Sequence, residues 1–104
     1  MIKVTVLYPY EEGAQFDHEY WNTSHRSLIQ KLLGPAGFIK GELETGISSS
    51  DPNTPAPFTA IAHLYFNTTD EVHEAFKAHA GPIMKDASNY TTITPLFQIS
   101  EILE

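Results

Sequence analysis

Three side chains in this sequence have the types and placement needed for proton transfer: His25, Tyr20 and His63. A neutral imidazole takes a proton from carbon or oxygen and returns it elsewhere. A phenol or second imidazole beside it polarises the oxygen on which charge develops. His25 and Tyr20 share the stretch FDHEYWNTSHRSL (16–28), where Phe16 and Trp21 add apolar wall. Trp21, His25, Leu28 and Leu32 fall at i, i+4, i+7 and i+11 on one helical stripe, which Ile29 and Leu33 widen. That stripe turns His25 toward a sheet, where burial pulls an imidazole toward its neutral form and fits it for general-base work. A core histidine satisfied by one backbone carbonyl is the competing reading. For Tyr20 the two choices are a donor to a substrate carbonyl and a rim aromatic at a subunit contact. His63 and Tyr65 share one face of FTAIAHLYF (58–66), and they polarise a substrate oxygen only if that face lines a pocket. Asp86, Asn89 and Tyr90 close a short polar segment. Asp86 reads first as the cap of a helical turn and second as the group that orients a histidine.

Other chemistries find little support. The 104 residues contain no cysteine, which removes disulfides, thiolate metal sites and a cysteine nucleophile. Five histidines and thirteen acids invite a metal, but His18 and His25 lie seven apart, Glu74 and His79 five apart, and no HExxH spacing occurs. His18, His73 and His79 read as surface or helix-end residues. No metal and no cofactor is expected; Gly34 to Gly37 follow a helix rather than a strand, the wrong context for a phosphate loop, and no serine sits in a nucleophile elbow, so nucleotide cofactors and acyl-enzyme chemistry find little support. The net charge is −7, and no two of the six Lys and Arg lie closer than five positions apart. Phosphate backbones and anionic membranes need clustered cations, so neither is an expected partner. No leader or membrane-spanning run is legible, and a cytoplasmic location is expected.

The elements that must position these groups follow from periodicity. IKVTVLY (2–8) alternates and reads as a strand; PYEEGAQ follows as a loop, and Asp17 caps a helix running to about Leu33. Gly34-Pro35 ends that helix. Residues 37–47 read as a weak strand broken by Gly41 and Gly46, 48–57 as an exposed loop and 58–66 as the strongest strand. Thr69 or Asp70 caps a second helix with Val72, Ala75, Phe76 and His79 on one side. AGPIMKDASNY (80–90) reads as a turn with one short helical turn, and TTITPLFQISEIL (91–103) as a last strand with Pro95 inside it, at an edge or bulge. The order β-α-β-β-α-β predicts one α+β domain over 1–104, a ferredoxin-like antiparallel sheet with two helices on one face. Both faces of 58–66 are largely apolar, so the uncovered face predicts a homodimer through the sheets, a dimeric α+β barrel.

LYPYEEGAQFDHEYWNTSHRSL (7–28), IAHLYFNTTDEVHEAF (61–76) and KDASNYTTITP (85–95), in that order and spacing, resemble the EthD-like family of the dimeric α+β barrel superfamily. The resemblance covers nearly the whole chain. It implies a pocket lined by aromatics and one or two histidines more firmly than it implies a reaction. Relatives on this fold include a methylmuconolactone methylisomerase, fungal decarboxylases and dehydratases, cofactor-free monooxygenases and stress-responsive barrels. The expected function is therefore a pocket for a small oxygenated or aromatic compound. His25 shuttles a proton there, Tyr20 or His63 holds an oxygen, and Phe16, Trp21, Tyr65, Asp86, Asn89 and Tyr90 contact the ligand. The alternatives are a non-catalytic accessory protein of a catabolic pathway and a structural barrel with a closed cavity.

Overall fold

The computed structural model describes residues 1–104. The elements are β1 (Ile2–Pro9), α1 (18–33), β2 (Lys40–Thr45), β3 (Phe58–Phe66), α2 (Thr69–Asp86) and β4 (Leu96–Glu101). The four strands form one antiparallel sheet in the order β2-β3-β1-β4, the ferredoxin-like arrangement. Strict alternation sets the two faces of the central strands. Ile2, Val4, Val6 and Tyr8 on β1 lie beside Ala60, Ala62, Leu64 and Phe66 on β3, and all eight are buried under the helices. The intervening residues point away from the helices. No helix is long and apolar enough to cross a membrane.

Helix α1 has two halves. Asp17 caps it as its sequence position predicts, its carboxylate accepting the Tyr20 amide at 3.0 Å. Trp21–His25 then form a wider π-helical turn before ordinary α-helix resumes over Arg26–Leu33. Such a turn is rare and is frequently found at functional sites, and here it carries His25. Trp21, His25, Ile29 and Leu33 are the buried stripe, while Leu28 and Leu32 are only partly covered. Gly37 ends the connection to β2 with φ of 104°, a left-handed conformation that favours glycine.

Three local expectations are corrected. The second helix is capped by Thr68 rather than Thr69 or Asp70, through a reciprocal box in which Thr68 Oγ1 accepts the Glu71 amide and the Glu71 carboxylate accepts the Thr68 amide. That helix also runs on to Asp86, straight through Gly81 and Pro82, where a turn was expected. Pro82 removes one helical donor, but Ile83 beyond it is buried in the core, and this packing outweighs the lost bond. Finally, the last strand begins at Leu96, after Pro95. Thr91, expected within it, instead makes an isolated bridge to Phe16.

That bridge positions the site. The Asp17 amide donates to the Tyr90 carbonyl at 2.8 Å, and Thr91 Oγ1 donates to the Gln15 carbonyl at 2.8 Å. The start of α1 is thereby fastened to the segment after α2. Residues 61 to 69 positions apart in sequence come within hydrogen-bond distance, Tyr20 and His25 on one side and Asp86, Asn89 and Tyr90 on the other.

Candidate functional site

Asp86 is the centre of a hydrogen-bond network that joins the two helices. Its Oδ2 lies 2.8 Å from His25 Nδ1, and its Oδ1 accepts from the Tyr20 hydroxyl at 2.8 Å and from Asn89 Nδ2 at 2.9 Å. Asn89 Nδ2 also reaches the Tyr20 oxygen at 3.2 Å. Asp86 makes no side-chain cap to the turn Ala87–Asn89. The capping reading is therefore overturned, and the alternative, orientation of a histidine, is the arrangement present. Burial alone would raise the Asp86 carboxyl, but hydrogen bonds from His25, Tyr20 and Asn89 outweigh it and hold the group below its ordinary value. The carboxylate is thus ionised at neutral pH. Only a donor can face an ionised carboxylate, so a neutral His25 carries its proton on Nδ1 and presents a lone pair at Nε2.

Beyond Nε2 lie two buried phenols. The Tyr90 hydroxyl is 3.4 Å from Nε2 and 2.5 Å from the Tyr8 hydroxyl. Burial is the first cause that pushes Tyr90 well above the ordinary tyrosine value, with Tyr8 and the Asp86 charge adding to it. Burial likewise raises Tyr8, opposed in part by its bond to Tyr90. Both phenols stay protonated and serve as donors at neutral pH. Asp86, His25, Tyr90 and Tyr8 form one line of hydrogen-bonding groups with the imidazole inside it. Tyr20 is raised first by its bond to Asp86, so it too is a neutral donor. Phe16 braces the line from behind, edge-on to Tyr8, Trp21 and Tyr90 at centroid distances of 5.1, 5.1 and 5.3 Å.

A cavity of about 510 Å³ opens between the helices and the sheet, a size suited to a small organic ligand. Tyr8, Trp21, His25 and Tyr90 form one end of its wall. Val6, Ala62 and Leu64 make its floor, and Ile29, Phe76 and Ile83 stand over it. The floor exists because β3 places alanine where a larger side chain would fill the space. Asp86 supports His25 from outside the lining.

The sequence-derived candidates separate into two groups. Tyr20, Trp21, His25, Asp86, Asn89 and Tyr90 converge on one network and its cavity, and Phe16 packs behind them. His63 and Tyr65 do not join them. They alternate with Ala62, Leu64 and Phe66 on β3 and emerge on the opposite, helix-free face of the sheet. There His63 Nε2 meets Glu44 at 2.7 Å and the Tyr65 hydroxyl donates to Glu42 at 2.6 Å. The expectation that His63 shares a pocket with His25 in one chain is corrected on that ground. Two lining residues went unremarked as site residues: Tyr8, the last inward position of β1, and Arg26, the cation next to His25. Tyr8 had a signal, a phenol closing a run of Ile and Val. No three His, Cys, Asp or Glu side chains converge as a metal site requires.

The EthD domain model matches residues 11–94. Among solved structures, an EthD-like protein from Ralstonia eutropha JMP134 is 35% identical over 99% of this chain and 92% of its own, with a TM-score of 0.93. An ethyl tert-butyl ether EthD family protein from Bacillus halodurans C-125 is 20% identical over 99% of both chains, with a TM-score of 0.70. A cofactor-independent oxygenase from Streptomyces nogalater is 9% identical over 99% of this chain and 92% of its own, with a TM-score of 0.55, a likeness of fold alone. No curated protein matches this chain in sequence.

Proposed function

The chain belongs to the EthD family, and we propose that it is an enzyme that moves a proton on a small, mostly apolar, oxygenated compound held in the cavity. The observation that carries this reading is the Asp86–His25 pair at the cavity wall, with Nδ1 bound to a carboxylate and Nε2 facing the Tyr90 hydroxyl, a neighbour that a substrate would displace or share. Nε2 takes a proton from a carbon next to a carbonyl, leaving an enolate and an imidazolium. Asp86 stabilises the imidazolium, and a neutral phenol of Tyr90 or Tyr8 donates to the developing oxyanion. Return of the proton to another carbon completes an isomerisation with no outside reactant. Decarboxylation and dehydration proceed through the same enolate chemistry, and oxygenation would add molecular oxygen to it.

The functional unit in this reading is a homodimer through the bare sheet face. Ile61, Leu7 and Leu96 form an apolar row across three strands of that face, and His63 Nδ1 is shielded there without a partner. A second copy covers the row and leaves the helix-side cavity free.

The test is exchange in D₂O of the acidic C–H of a panel of lactones, 1,3-dicarbonyls, phenols and quinols, followed by proton NMR. Wild type is expected to accelerate exchange of at least one class. His25→Gln keeps a donor for Asp86 but has no base, and it should lower the rate about 10²- to 10⁴-fold. Equal exchange by the variant would sink the catalytic role of His25. Binding without exchange would leave a carrier.

A further inference from the structure

We infer that the cavity selects a small apolar acid whose carboxylate is held by Arg26, an inference that rests on reading the cavity as a substrate site. Arg26 is the only Lys or Arg lining the cavity, and no Asp or Glu lines it. It pairs with no carboxylate, although the chain holds thirteen acids against six cations; the only ion pairs are His25–Asp86 and His63–Glu44. A half-buried guanidinium against an apolar wall is poorly solvated, and a counter-ion arriving with the ligand relieves that penalty.

The guanidinium is also held in place by neutral acceptors. Nη1 donates to Asn22 Oδ1 at 2.9 Å and Nη2 to the Gly41 carbonyl on β2 at 3.3 Å. Two of its five N–H groups are thereby used, and the rest remain for a planar acid. The position relative to the base follows from helix geometry. Adjacent helical residues diverge by about 100°, so His25 turns to Tyr8 and Tyr90 at the β1 side while Arg26 turns to β2. Between them lies the floor of Ala62 and Leu64 on β3. From β2 to β1 is two strand spacings, about 9–10 Å. An acid of roughly that length, with its carboxylate on β2 and its reacting carbon toward β1, fits the span.

The probe pair is 3-phenylpropionate and its primary amide, which share a shape and differ in charge, measured by calorimetry at neutral pH and low salt. Wild type is expected to bind the acid about tenfold or more tighter than the amide. Arg26→Gln should erase that preference while leaving amide affinity within about twofold, and Arg26→Lys should restore part of it. Equal binding of acid and amide by wild type overturns the acid inference and leaves the cavity reading intact. A preference that survives in Arg26→Gln overturns the role of Arg26. Failure of both probes to bind overturns the inference together with the cavity as a site for such ligands.

Discussion

Replacing Asp86 with Asn tests the core of the proposed mechanism without a known substrate. The side chain keeps its size and loses its charge and one acceptor. Oδ1 serves two donors, Tyr20 and Asn89, whereas Oδ2 serves only His25. Placing the new amide nitrogen at Oδ2 sacrifices one bond rather than two, so the NH₂ comes to face Nδ1. Two donors cannot share that contact. The His25 proton then moves to Nε2, where it meets the Tyr90 oxygen, and the lone pair turns away from the cavity. Long-range ¹H–¹⁵N correlation of the imidazole reads the tautomer directly: wild type is expected as Nδ1–H and Asp86→Asn as Nε2–H. Asp86 is 15% exposed at its side chain, so loss of its charge-assisted bonding should lower stability by about 1–2 kcal/mol. For a domain of this size that is a fall in Tm of about 5–15 °C. The pH dependence has a definite sign. Because the folded Asp86 is held below its ordinary value, the stability it supplies is full above about pH 4 and drains as pH falls through the folded value. The Tm gap between wild type and variant should therefore be widest near neutrality and close in acid. Any substrate found by deuterium exchange should slow about 10²- to 10⁴-fold, as tautomer reversal does in other Asp–His pairs. An Nδ1–H tautomer persisting in the variant, or a gap that does not narrow below pH 4, would refute the reasoning.

Tyr90→Phe probes the other end of the line. Because Tyr90 is raised in the folded protein, its contribution is full below about pH 10 and is lost as pH climbs; the variant's Tm should fall less steeply than wild type between pH 9.5 and 11, and parallel slopes would reject the buried-donor assignment. Gly81→Ala should raise stability by about 0.5–1 kcal/mol, since Gly81 sits inside α2 with no atom within 4 Å of an added Cβ; a lower melting temperature would show that α2 needs glycine there. Ile61→Lys should convert a species of twice the 11.6 kDa chain to monomer in sedimentation, with the melting curve of the isolated fold kept; a wild type that already sediments as a monomer would remove the dimer reading.

How much of this was legible in the sequence depended on whether the signal was local. The alternation of IKVTVLY and FTAIAHLYF set two strands and put Tyr8 on one face with Ile2, Val4 and Val6; the expected stripe of Trp21, His25, Leu28 and Leu32 was right in its first two members, while Ile29 and Leu33, read only as widening it, are the buried ones. Asp17 read correctly as a cap because its donor lies three residues away. The helix through Pro82 did not read correctly, because proline is a local stop signal while the force overriding it is tertiary: Ile83 is buried beyond the break. That error also put the capping reading of Asp86 ahead of the histidine-orienting one. Placed in a turn, it looked like a cap; placed at the end of an 18-residue helix, it reaches across to His25.

His63 shows a limit of a different kind. Periodicity states that His63 and Ala62 face opposite ways, but it does not state which face the helices cover. Val4 and Val6 on β1 and Thr5 and Leu7 between them are all able to pack, so the choice is decided elsewhere. It is decided by the partners: Ala62 lies opposite Val6 and Leu43, both on the helix side, while His63 lies opposite Thr5 and Glu42. Glu42 and Glu44 on β2 are the discriminating residues. Two carboxylates turned under the helices would be buried without a counter-charge, so the face that carries them is not the cavity floor. That inference was available from the sequence once β2 was paired with β3. It also gives β3 two different tasks, with Ala62 making room for a ligand on one side and Ile61, His63 and Tyr65 building a mixed apolar and polar surface on the other.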